Sequence, residues 1–274
     1  MSLGDTIANV RSGLFQIVFL DANNEKIGGG SAFLTNDLLV TNNHVFMGHL
    51  SAHRVEIRRD GMPPNQVRVF SSQDFAAKLV IGSAEQSYDY AVLNVPEIIQ
   101  DTDHRFTLQV PGPRRMGDAI ALLGFPLEHT NLTCHQGIIS SFYRSGLAEV
   151  IQIDASVNAG NSGGPLIDPE TGVAFGIVTR KATGLSKSFG HLRNSSNSNI
   201  AIGKARAAGG RIVMSGLDVV QTFIMSQNQI LQTLNEIERQ ANVGIGYAFS
   251  AEHILSEPCM QVRCLSSGKS MKSP

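Results

Sequence analysis

Seven short apolar runs follow one another from Leu14 to about Ile153, separated by Gly, Pro, Asn or Asp. They read LFQIVFL, SAFLT, LLVTNNHV, YAVLNV, DAIALLGFP, GIISSF and VIQID. Runs of this length with this punctuation are typical of β-strands. Because no amphipathic helix pattern longer than two turns interrupts them, a parallel sheet with crossover helices is not expected. The sequence therefore predicts an all-β architecture.

The pattern changes in the last third of the chain. Gly184–Gly216 is crowded with Ser, Asn and Gly, a composition that predicts a loop or a mobile insertion. In Leu217–Gln240 apolar residues recur every three or four positions, which predicts the one long helix. The run GIGYAFS, from Gly244, then predicts a final strand, and Ser256–Pro274 is expected to be a polar, mobile tail.

Charge and cysteine content exclude several classes of function. Lys and Arg number 22 against 23 Asp and Glu, a formal net charge of −1, so no net field draws the chain to nucleic acid or to an anionic membrane. No apolar stretch approaches the roughly 18 residues of a membrane span. Cys134, Cys259 and Cys264 are too few for a disulfide framework, and no Cys or His spacing is typical of a metal site. We expect no nucleic-acid partner, no membrane partner, no metal and no cofactor.

The N-terminal sequence MSLGDTIANVRSG lacks the basic stretch and apolar run of a secretory signal. Together with the low cysteine content, this favours a cytoplasmic location. A periplasmic or secreted location is expected only if a signal peptide has been removed from this sequence.

Ser162 lies in the segment GNSGGPL, within the longer run IQIDASVNAGNSGGPLID. A nucleophilic serine needs a base within hydrogen-bond reach and backbone N–H groups aimed at the developing oxyanion, so it is commonly held in a glycine-rich turn. A plain turn between two strands explains the glycines but not the full string. Ser162 is therefore the candidate nucleophile.

The same segment satisfies the G-x-S-x-G pattern of the nucleophile elbow in α/β-hydrolases, with Asp218 and His253 available as partners. An elbow requires a helix directly after the serine, but two glycines and Pro165 follow Ser162. The turn DPETG then leads into the strand-like run VAFGIVT. This strand–turn–strand pattern places the partners upstream, in the order His, Asp, Ser.

Two upstream residues suit the roles of base and orienting acid. His44 ends the run LLVTNNH at a strand edge, where an imidazole is exposed in a cleft, and Asp89 stands where the run YAVLNV begins, suited to partial burial. His135 is adjacent to Cys134, but adjacent strand residues point to opposite faces and form no thiol–imidazole pair. The other candidates lie in more polar surroundings: His49, His53, Asp74, Asp101 and Asp103.

These residues, in this order, resemble the trypsin-like serine peptidases of the chymotrypsin fold and, within them, the HtrA/Deg branch. The resemblance rests on VTNNHV, YDYAVL, GDAIALLGFP, GIISS, DASVNAGNSGGPLID and GIGYAF. It covers roughly residues 14–181 and 243–256, and it implies two packed six-stranded antiparallel β-barrels with the active site between them. On this basis we expect an N-terminal barrel at residues 1–105 that carries the catalytic His and Asp, and a C-terminal barrel at residues 106–256 that carries the catalytic Ser. The second barrel contains the insertion 182–242 with the helix 217–240, and a polar tail follows at residues 257–274.

The resemblance also implies the catalytic groups. It carries a triad onto His44, Asp89 and Ser162, and an oxyanion hole onto the backbone N–H groups of Gly160 and Ser162, with Asn161 between them. The chain would then be a serine endopeptidase that acts on proteins or peptides through an acyl-enzyme.

The same resemblance places Ser156 at the base of the primary substrate pocket, with Thr179 and Arg180 forming its wall. Ser156 is uncharged, whereas a preference for Arg or Lys requires an acid at that position. A small or medium uncharged residue is therefore favoured before the cleaved bond.

The chain departs from the HtrA/Deg pattern in two places. Only residues 250–274 follow Phe249, so we expect no PDZ domain, and the insertion 182–242 replaces a short loop. We expect this insertion to restrict the cleft or to mediate self-association; the oligomeric state stays open. A latent or non-catalytic binding protein on the same fold remains the alternative function, and an esterase is a weaker one.

Overall fold

The computed structural model of the protein describes residues 1–61, 67–110, 112, 114–126, 130–179, 184–210, 213–214, 216–241 and 244–261. The chain divides into two compact units, residues 1–180 with 244–274, and residues 181–243. The first unit is mostly β-structure and the second is a pair of helices. No helix among the described residues is both long enough and apolar enough to cross a membrane.

The N-terminal half of the first unit is an antiparallel sheet in the order β5-β4-β1-β2-β3-β7-β6. Its strands are β1 (Leu14–Leu20), β2 (Lys26–Thr35), β3 (Leu38–Thr41), β4 (Arg54–Arg59), β5 (Arg68–Ser71), β6 (Leu79–Ser83) and β7 (Tyr90–Leu93). The expected six-stranded barrel is thus a seven-stranded sheet in which β5 and β6 do not pair. Between them in the chain lies α3 (Ser72–Ala76), whose Phe75 packs into the sheet's core, so a helical turn rather than a strand pair occupies this side.

Two further α-helices belong to this half. Helix α1 (Leu3–Val10) precedes the sheet and begins with a capping box in which Ser2 and Asp5 each accept from the other's backbone N–H. Helix α2 (Asn43–Phe46) follows β3 directly and is continued by a 3₁₀ helix, Met47–Ser51. Helix α2 carries His44, which the sequence placed at a strand end.

The C-terminal half is a closed six-stranded barrel in the order β10-β15-β12-β11-β8-β9, which confirms the prediction for this half. Its strands are β8 (Ala119–Gly124), β9 (Thr133–Ser145), β10 (Ala148–Ile153), β11 (Pro165–Ile167), β12 (Ala174–Thr179) and β15 (Gly246–Ser250). The second unit interrupts the chain between β12 and β15, yet these two strands pair directly. The barrel therefore closes across the insertion.

One apolar core joins the sheet to the barrel. Phe33 and Val40 from the sheet pack in one cluster with Leu123 and Ile177 from the barrel. Two more clusters fill the inside of the sheet and the inside of the barrel. The sheet, which carries His44 and Asp89, and the barrel, which carries Ser162, therefore share one continuous apolar core.

The start of the expected polar tail is part of this core. Helices α6 (Glu252–Leu255) and α7 (Pro258–Gln261) follow β15, and Met260 is 2% exposed within the cluster that joins sheet and barrel. The Tyr90 hydroxyl donates a hydrogen bond to Glu257. The prediction of a mobile tail is wrong for residues 256–261, because Ile254 and Met260 have apolar surface to bury; residues 262–274, with Cys264, lie outside the described residues.

The second unit contains α4 (Gly184–Ala208), the short strands β13 (Val213–Met214) and β14 (Leu217–Asp218), and α5 (Val219–Ala241). Helix α5 confirms the predicted long helix within two residues at each end. Helix α4 contradicts the predicted loop, since Gly184–Ala208 is helical. The physical reason is close packing on α5: a Cβ at Gly203 would lie 2.8 Å from Ile224 Cγ1, and Asn199 Nδ2 donates to Gln227 Oε1 at 3.2 Å. Small and polar contact residues leave no apolar periodicity to detect.

Candidate active site

Ser162 lies in the loop between β10 and β11, in a turn whose shape depends on glycine. Asn161 N–H donates to Asn158 O at 3.0 Å and Gly160 has φ +98°, the type II arrangement that needs glycine in the third position. Gly163 has φ +89°, and a Cβ there would lie 2.0 Å from Ser31 O. Strand β11 begins at Pro165, so a strand follows the serine, as predicted, and the nucleophile-elbow alternative is excluded.

Asp89 directly precedes β7, is 1% exposed and has φ +47°, an unusual backbone conformation for a residue other than glycine. Its Oδ1 accepts from the His44 backbone N–H at 3.0 Å, and its Oδ2 lies 2.7 Å from His44 Nδ1. Asn42 Nδ2 donates to the Asp89 carbonyl oxygen at 2.9 Å. The structure thus brings His44 and Asp89 together in a doubly bonded, largely buried pair.

This pairing determines which His44 nitrogen can act as a base. An ionised carboxylate only accepts hydrogen bonds, so the Nδ1 atom facing Asp89 carries the proton in the neutral ring. The Nε2 atom is then the unprotonated one, with its lone pair directed away from Asp89. A ring held in this tautomer can accept a proton from a hydroxyl group.

Thr179, at the end of β12, contributes the third hydrogen bond to this carboxylate. Its Oγ1 donates to Asp89 Oδ2 at 3.1 Å, and the residue is 3% exposed. This contact connects the barrel that carries Ser162 to the acid on the sheet. The sequence singled out Thr179 as a wall of the substrate pocket; its contact with Asp89 was not anticipated, because only the fold brings β12 and β7 together.

Ser162 lies against strand β2, beside the helix that carries His44. Its carbonyl oxygen accepts from Ser31 N–H at 2.7 Å. A Cβ at Gly30 would lie 2.5 Å from Val45 Cγ1 and 3.0 Å from Ser162 O, so Gly30 allows these segments to approach closely. Among the described residues, Ser162 Oγ and His44 Nε2 have no hydrogen bond to each other; such bonds are often long in a free enzyme and shorten with substrate.

The backbone N–H groups of Gly160 and Ser162 donate no hydrogen bond to any described residue. The neighbouring amides, of Asn161, Gly163 and Gly164, are all engaged with backbone oxygens. The Asn161 side chain is fully buried, and its oxygen and nitrogen contact no hydrogen-bond partner within the described part of the chain. Two unused N–H groups on one turn beside a serine hydroxyl can stabilise a negatively charged oxygen.

Ser156, the predicted base of the substrate pocket, is partly buried. Its Oγ accepts from Gly244 N–H at 3.1 Å. Arg180, the other predicted wall residue, lies outside the described residues. A separate cavity of about 240 Å³ lies next to His44, lined by Phe19, Ile27, Gly28, Gly29, Val45, Gly48 and Ser51.

The competing residues are occupied elsewhere. His49, which the sequence places in polar surroundings, is buried, with its Nδ1 2.7 Å from Phe46 O. Asp103 is buried in an ion pair with Arg59. Cys134 is free, and desolvation raises the pKa of its thiol and lowers the pKa of the His135 imidazole. Such a thiol is a poor nucleophile at neutral pH.

The two candidate partners of an elbow are Asp218 and His253. Asp218 is in the unit 181–243, and His253 stacks on the Tyr88 ring with centroids 3.5 Å apart. Within the described ranges, no three His, Cys, Asp or Glu residues group as metal ligands.

Comparisons with known proteins identify the family of this chain. The trypsin-like peptidase domain matches residues 30–177, more than half of the chain. The chain is similar to the periplasmic pH-dependent serine endoprotease DegQ of Escherichia coli strain K12, with 34% identity over 161 residues, 56% of this chain and 31% of that protein. It is also similar to the chloroplastic protease Do-like 5 of Arabidopsis thaliana, with 29% identity over 188 residues, 62% of this chain and 54% of that protein.

Among solved structures, the HtrA-type protease AlgW with a tripeptide has the same fold, with a TM-score of 0.55 and 22% identity over 93% of this chain and 62% of the other. The chain spans 31% of the length of the Escherichia coli relative and 54% of the length of the Arabidopsis thaliana relative. What those longer proteins do as a whole therefore does not transfer directly.

Proposed function

This chain belongs to the trypsin-like peptidase family, with HtrA and Deg proteases among its relatives, and on that premise we propose that it is a serine endopeptidase that hydrolyses peptide bonds in proteins. Ser162 is the nucleophile, His44 the general base and Asp89 the residue that orients the imidazole. The alternative, a latent binding protein on a protease fold, is an outcome of the test below.

In the proposed reaction, Ser162 Oγ attacks the carbonyl carbon of the substrate while His44 Nε2 removes its proton. The N–H groups of Gly160 and Ser162 donate to the oxygen of the tetrahedral intermediate. His44 then gives the proton to the leaving amine, and water hydrolyses the acyl-enzyme by the same steps. Asp89 remains ionised throughout and stabilises the imidazolium.

The observation that carries the proposal is the pair formed by His44 and Asp89. A buried carboxylate that accepts from both the backbone N–H and Nδ1 of one histidine holds that ring in a single orientation and tautomer. Burying a charged group is costly unless hydrogen bonds satisfy it, and here a third bond comes from Thr179. This arrangement leaves Nε2 of a fixed ring available for proton transfer.

The substrate preference we propose is a small or medium uncharged residue before the cleaved bond. The resemblance places Ser156 at the base of the pocket, and Ser156 is neutral, whereas a preference for Arg or Lys requires an acid at that position. The leaving amine receives its proton from His44, so the residue after the cleaved bond would lie near the cavity lined by Phe19 and Ile27. A peptide-library cleavage profile dominated by Arg or Lys before the cleaved bond would contradict this assignment.

A fluorophosphonate probe tests the nucleophile and base without a known substrate, because it reacts with an activated serine. We expect intact-mass analysis of the wild type to give one adduct, mapped to Ser162 by peptide digestion. His44→Ala and Ser162→Ala should abolish the adduct and the cleavage of fluorescein-labelled casein. His53→Ala removes an exposed histidine and is the matched control, expected to label fully. A folded wild type that forms no adduct would favour the latent protein, and a Ser162→Ala variant with near-wild-type turnover would refute the assignment.

A further inference from the structure

Ser31 in β2 makes four hydrogen bonds that join the sheet, the barrel and the loop of Ser162. The residue has no exposed surface. Its N–H donates to Ser162 O at 2.7 Å, and its Oγ donates to Gly160 O at 2.7 Å. Its Oγ accepts from Phe125 N–H at 2.8 Å, and its carbonyl oxygen accepts from Thr41 Oγ1 at 2.7 Å. Every polar atom of Ser31 is therefore used, and two of its bonds go to the nucleophile loop.

These two bonds hold the peptide groups on either side of the Asn161–Ser162 bond. The peptide group between Gly160 and Asn161 is bound at its oxygen by Ser31 Oγ and at its N–H by Asn158 O. The peptide group between Ser162 and Gly163 is bound at its oxygen by Ser31 N–H and at its N–H by Val178 O, at 2.9 Å. Ser31 thus fixes the orientation of the backbone that precedes and follows Ser162.

The Ala159–Gly160 peptide group, which carries one of the two unused N–H groups, has no such support. Neither its oxygen nor its N–H has a hydrogen bond to a described residue. Glycine populates positive and negative φ about equally, so this group can rotate and turn the Gly160 N–H away from an incoming oxygen. What opposes the rotation is the fixed position of the next peptide group, whose oxygen is held by Ser31.

No other side chain supplies this support in the part of the chain that the structure describes. The bond from Ser31 Oγ is the one hydrogen bond from an outside side chain to residues 158–163. Asn161, the polar side chain within the turn, is buried without a hydrogen-bond partner among the described residues and so anchors nothing. The orientation of the turn therefore depends on a hydroxyl that lies on a different β-structure.

We propose that Ser31 is a positioning residue that holds the Gly160 and Ser162 amides in the orientation that binds the oxyanion, an inference that rests on the proposed peptidase function. Through Ser31, the sheet that carries His44 and Asp89 also sets the geometry of the amides on the barrel. The sequence signal is the run GGGS at residues 28–31, where a serine follows glycines that permit close backbone approach.

Ser31→Ala removes the hydroxyl and leaves the Gly160 carbonyl and the Phe125 N–H buried without their partner. The loop should then rotate to find other partners and move the oxyanion donors. A displacement of about 1 Å at a catalytic group costs on the order of 100-fold in rate, so we expect kcat to fall roughly 10- to 100-fold. Since the oxyanion exists only in the transition state and intermediate, KM should change by less than about threefold.

The experiment measures kcat and KM for fluorescein-labelled casein, and the rate of fluorophosphonate labelling, in the wild type and in Ser31→Ala. The matched control is Ser250→Ala, a Ser-to-Ala change at a buried site. Among the described residues, the Ser250 hydroxyl makes one hydrogen bond, which it accepts from Glu252 N–H at 3.2 Å. Ser31→Ala should lose kcat and labelling rate by a similar factor, and Ser250→Ala should stay within about threefold of the wild type in both.

A folded Ser31→Ala variant with kcat within about threefold of the wild type overturns the inference, as does a loss that lies wholly in KM. If thermal unfolding shows that Ser31→Ala does not fold, Ser31→Cys, which keeps a side chain but donates weakly, replaces it with the same expectations. A wild type that neither labels nor cleaves overturns the proposed function instead, whatever the variants do, so the two failures are distinguishable.

Discussion

Replacing Asp89 by Asn tests whether the carboxylate acts by fixing the proton on the His44 ring. The carboxylate accepts from the His44 amide at 3.0 Å, from His44 Nδ1 at 2.7 Å and from the Thr179 hydroxyl at 3.1 Å. An amide side chain has one accepting oxygen and one donating NH₂ group, so it cannot accept all three bonds. When its oxygen faces the His44 amide, its NH₂ faces Nδ1, and the ring proton must move to Nε2. A protonated Nε2 cannot take the proton of Ser162.

The fold should survive this substitution. Asp89 has φ +47°, and Asn is among the residues that adopt the left-handed region most readily. We expect kcat for casein hydrolysis to fall about 10⁴-fold, the effect of the wrong tautomer in a Ser-His-Asp triad, which equals about 5 kcal/mol of transition-state stabilisation.

The matched control is Asp118→Asn, in which the exchanged carboxylate accepts from Arg115 N–H at 2.8 Å on an exposed turn. It should leave kcat within about twofold, because surface substitutions rarely change energies by more than about 0.5 kcal/mol. Both variants are first compared with the wild type by circular dichroism. A folded Asp89→Asn variant with kcat within about tenfold of the wild type would refute the tautomer argument.

Met260→Ala should lower the free energy of unfolding by about 2–5 kcal/mol in urea titrations, because the Met260 side chain is 2% exposed in the core that joins sheet and barrel. A change below about 1 kcal/mol would show that this segment does not contribute to the core. Asp103→Ala leaves the Arg59 guanidinium without its carboxylate partner and should lower the free energy of unfolding by about 3–5 kcal/mol in the same assay. An unchanged urea midpoint of unfolding would show instead that Arg59 is solvated. Replacing residues 182–242 by a short linker should change the peptide-library profile or the mass measured by light scattering, and unchanged values for both would leave the insertion without either proposed role.

Strands β1 and β12 were predictable because both of their faces are buried. The runs LFQIVFL and VAFGIVT contain β1 and β12, and every residue of both strands is buried. Strands β4, β5 and β6 were missed: β4 reads RVEIRR, and the other two lie at the edges of the sheet with exposed side chains. A strand that buries one face or neither gives a weak apolar signal.

Helix α4 was unpredictable for a related reason. Its sequence is rich in Ser, Asn and Gly, residues that favour turns when they are considered locally. In the structure these small residues allow α5 to approach, as Gly203 does at Ile224. Tertiary packing overrides local propensity here, and single-residue preferences carry no information about the partner helix.

The candidate catalytic residues were identified by their sequence context: Ser162 by its glycine-rich turn, and His44 and Asp89 by their positions at the borders of apolar strands. Sequence reasoning missed the contacts that connect the two β-structures: Thr179 on Asp89, and Ser31 on Gly160. Ser31 and Gly160 are 129 positions apart, and neither residue has a local sequence feature that predicts their contact.

The sequence by itself determined the strand-rich class, the order His44, Asp89, Ser162 and the glycines that permit the turn around the serine, because each follows from a local pattern or a residue's own conformational range. Only the tertiary structure decided which nitrogen of His44 faces the carboxylate and which distant hydroxyl donates to the Gly160 carbonyl oxygen. Those features are directed hydrogen bonds between segments far apart in the chain, and their geometry exists only once the core has packed the sheet against the barrel.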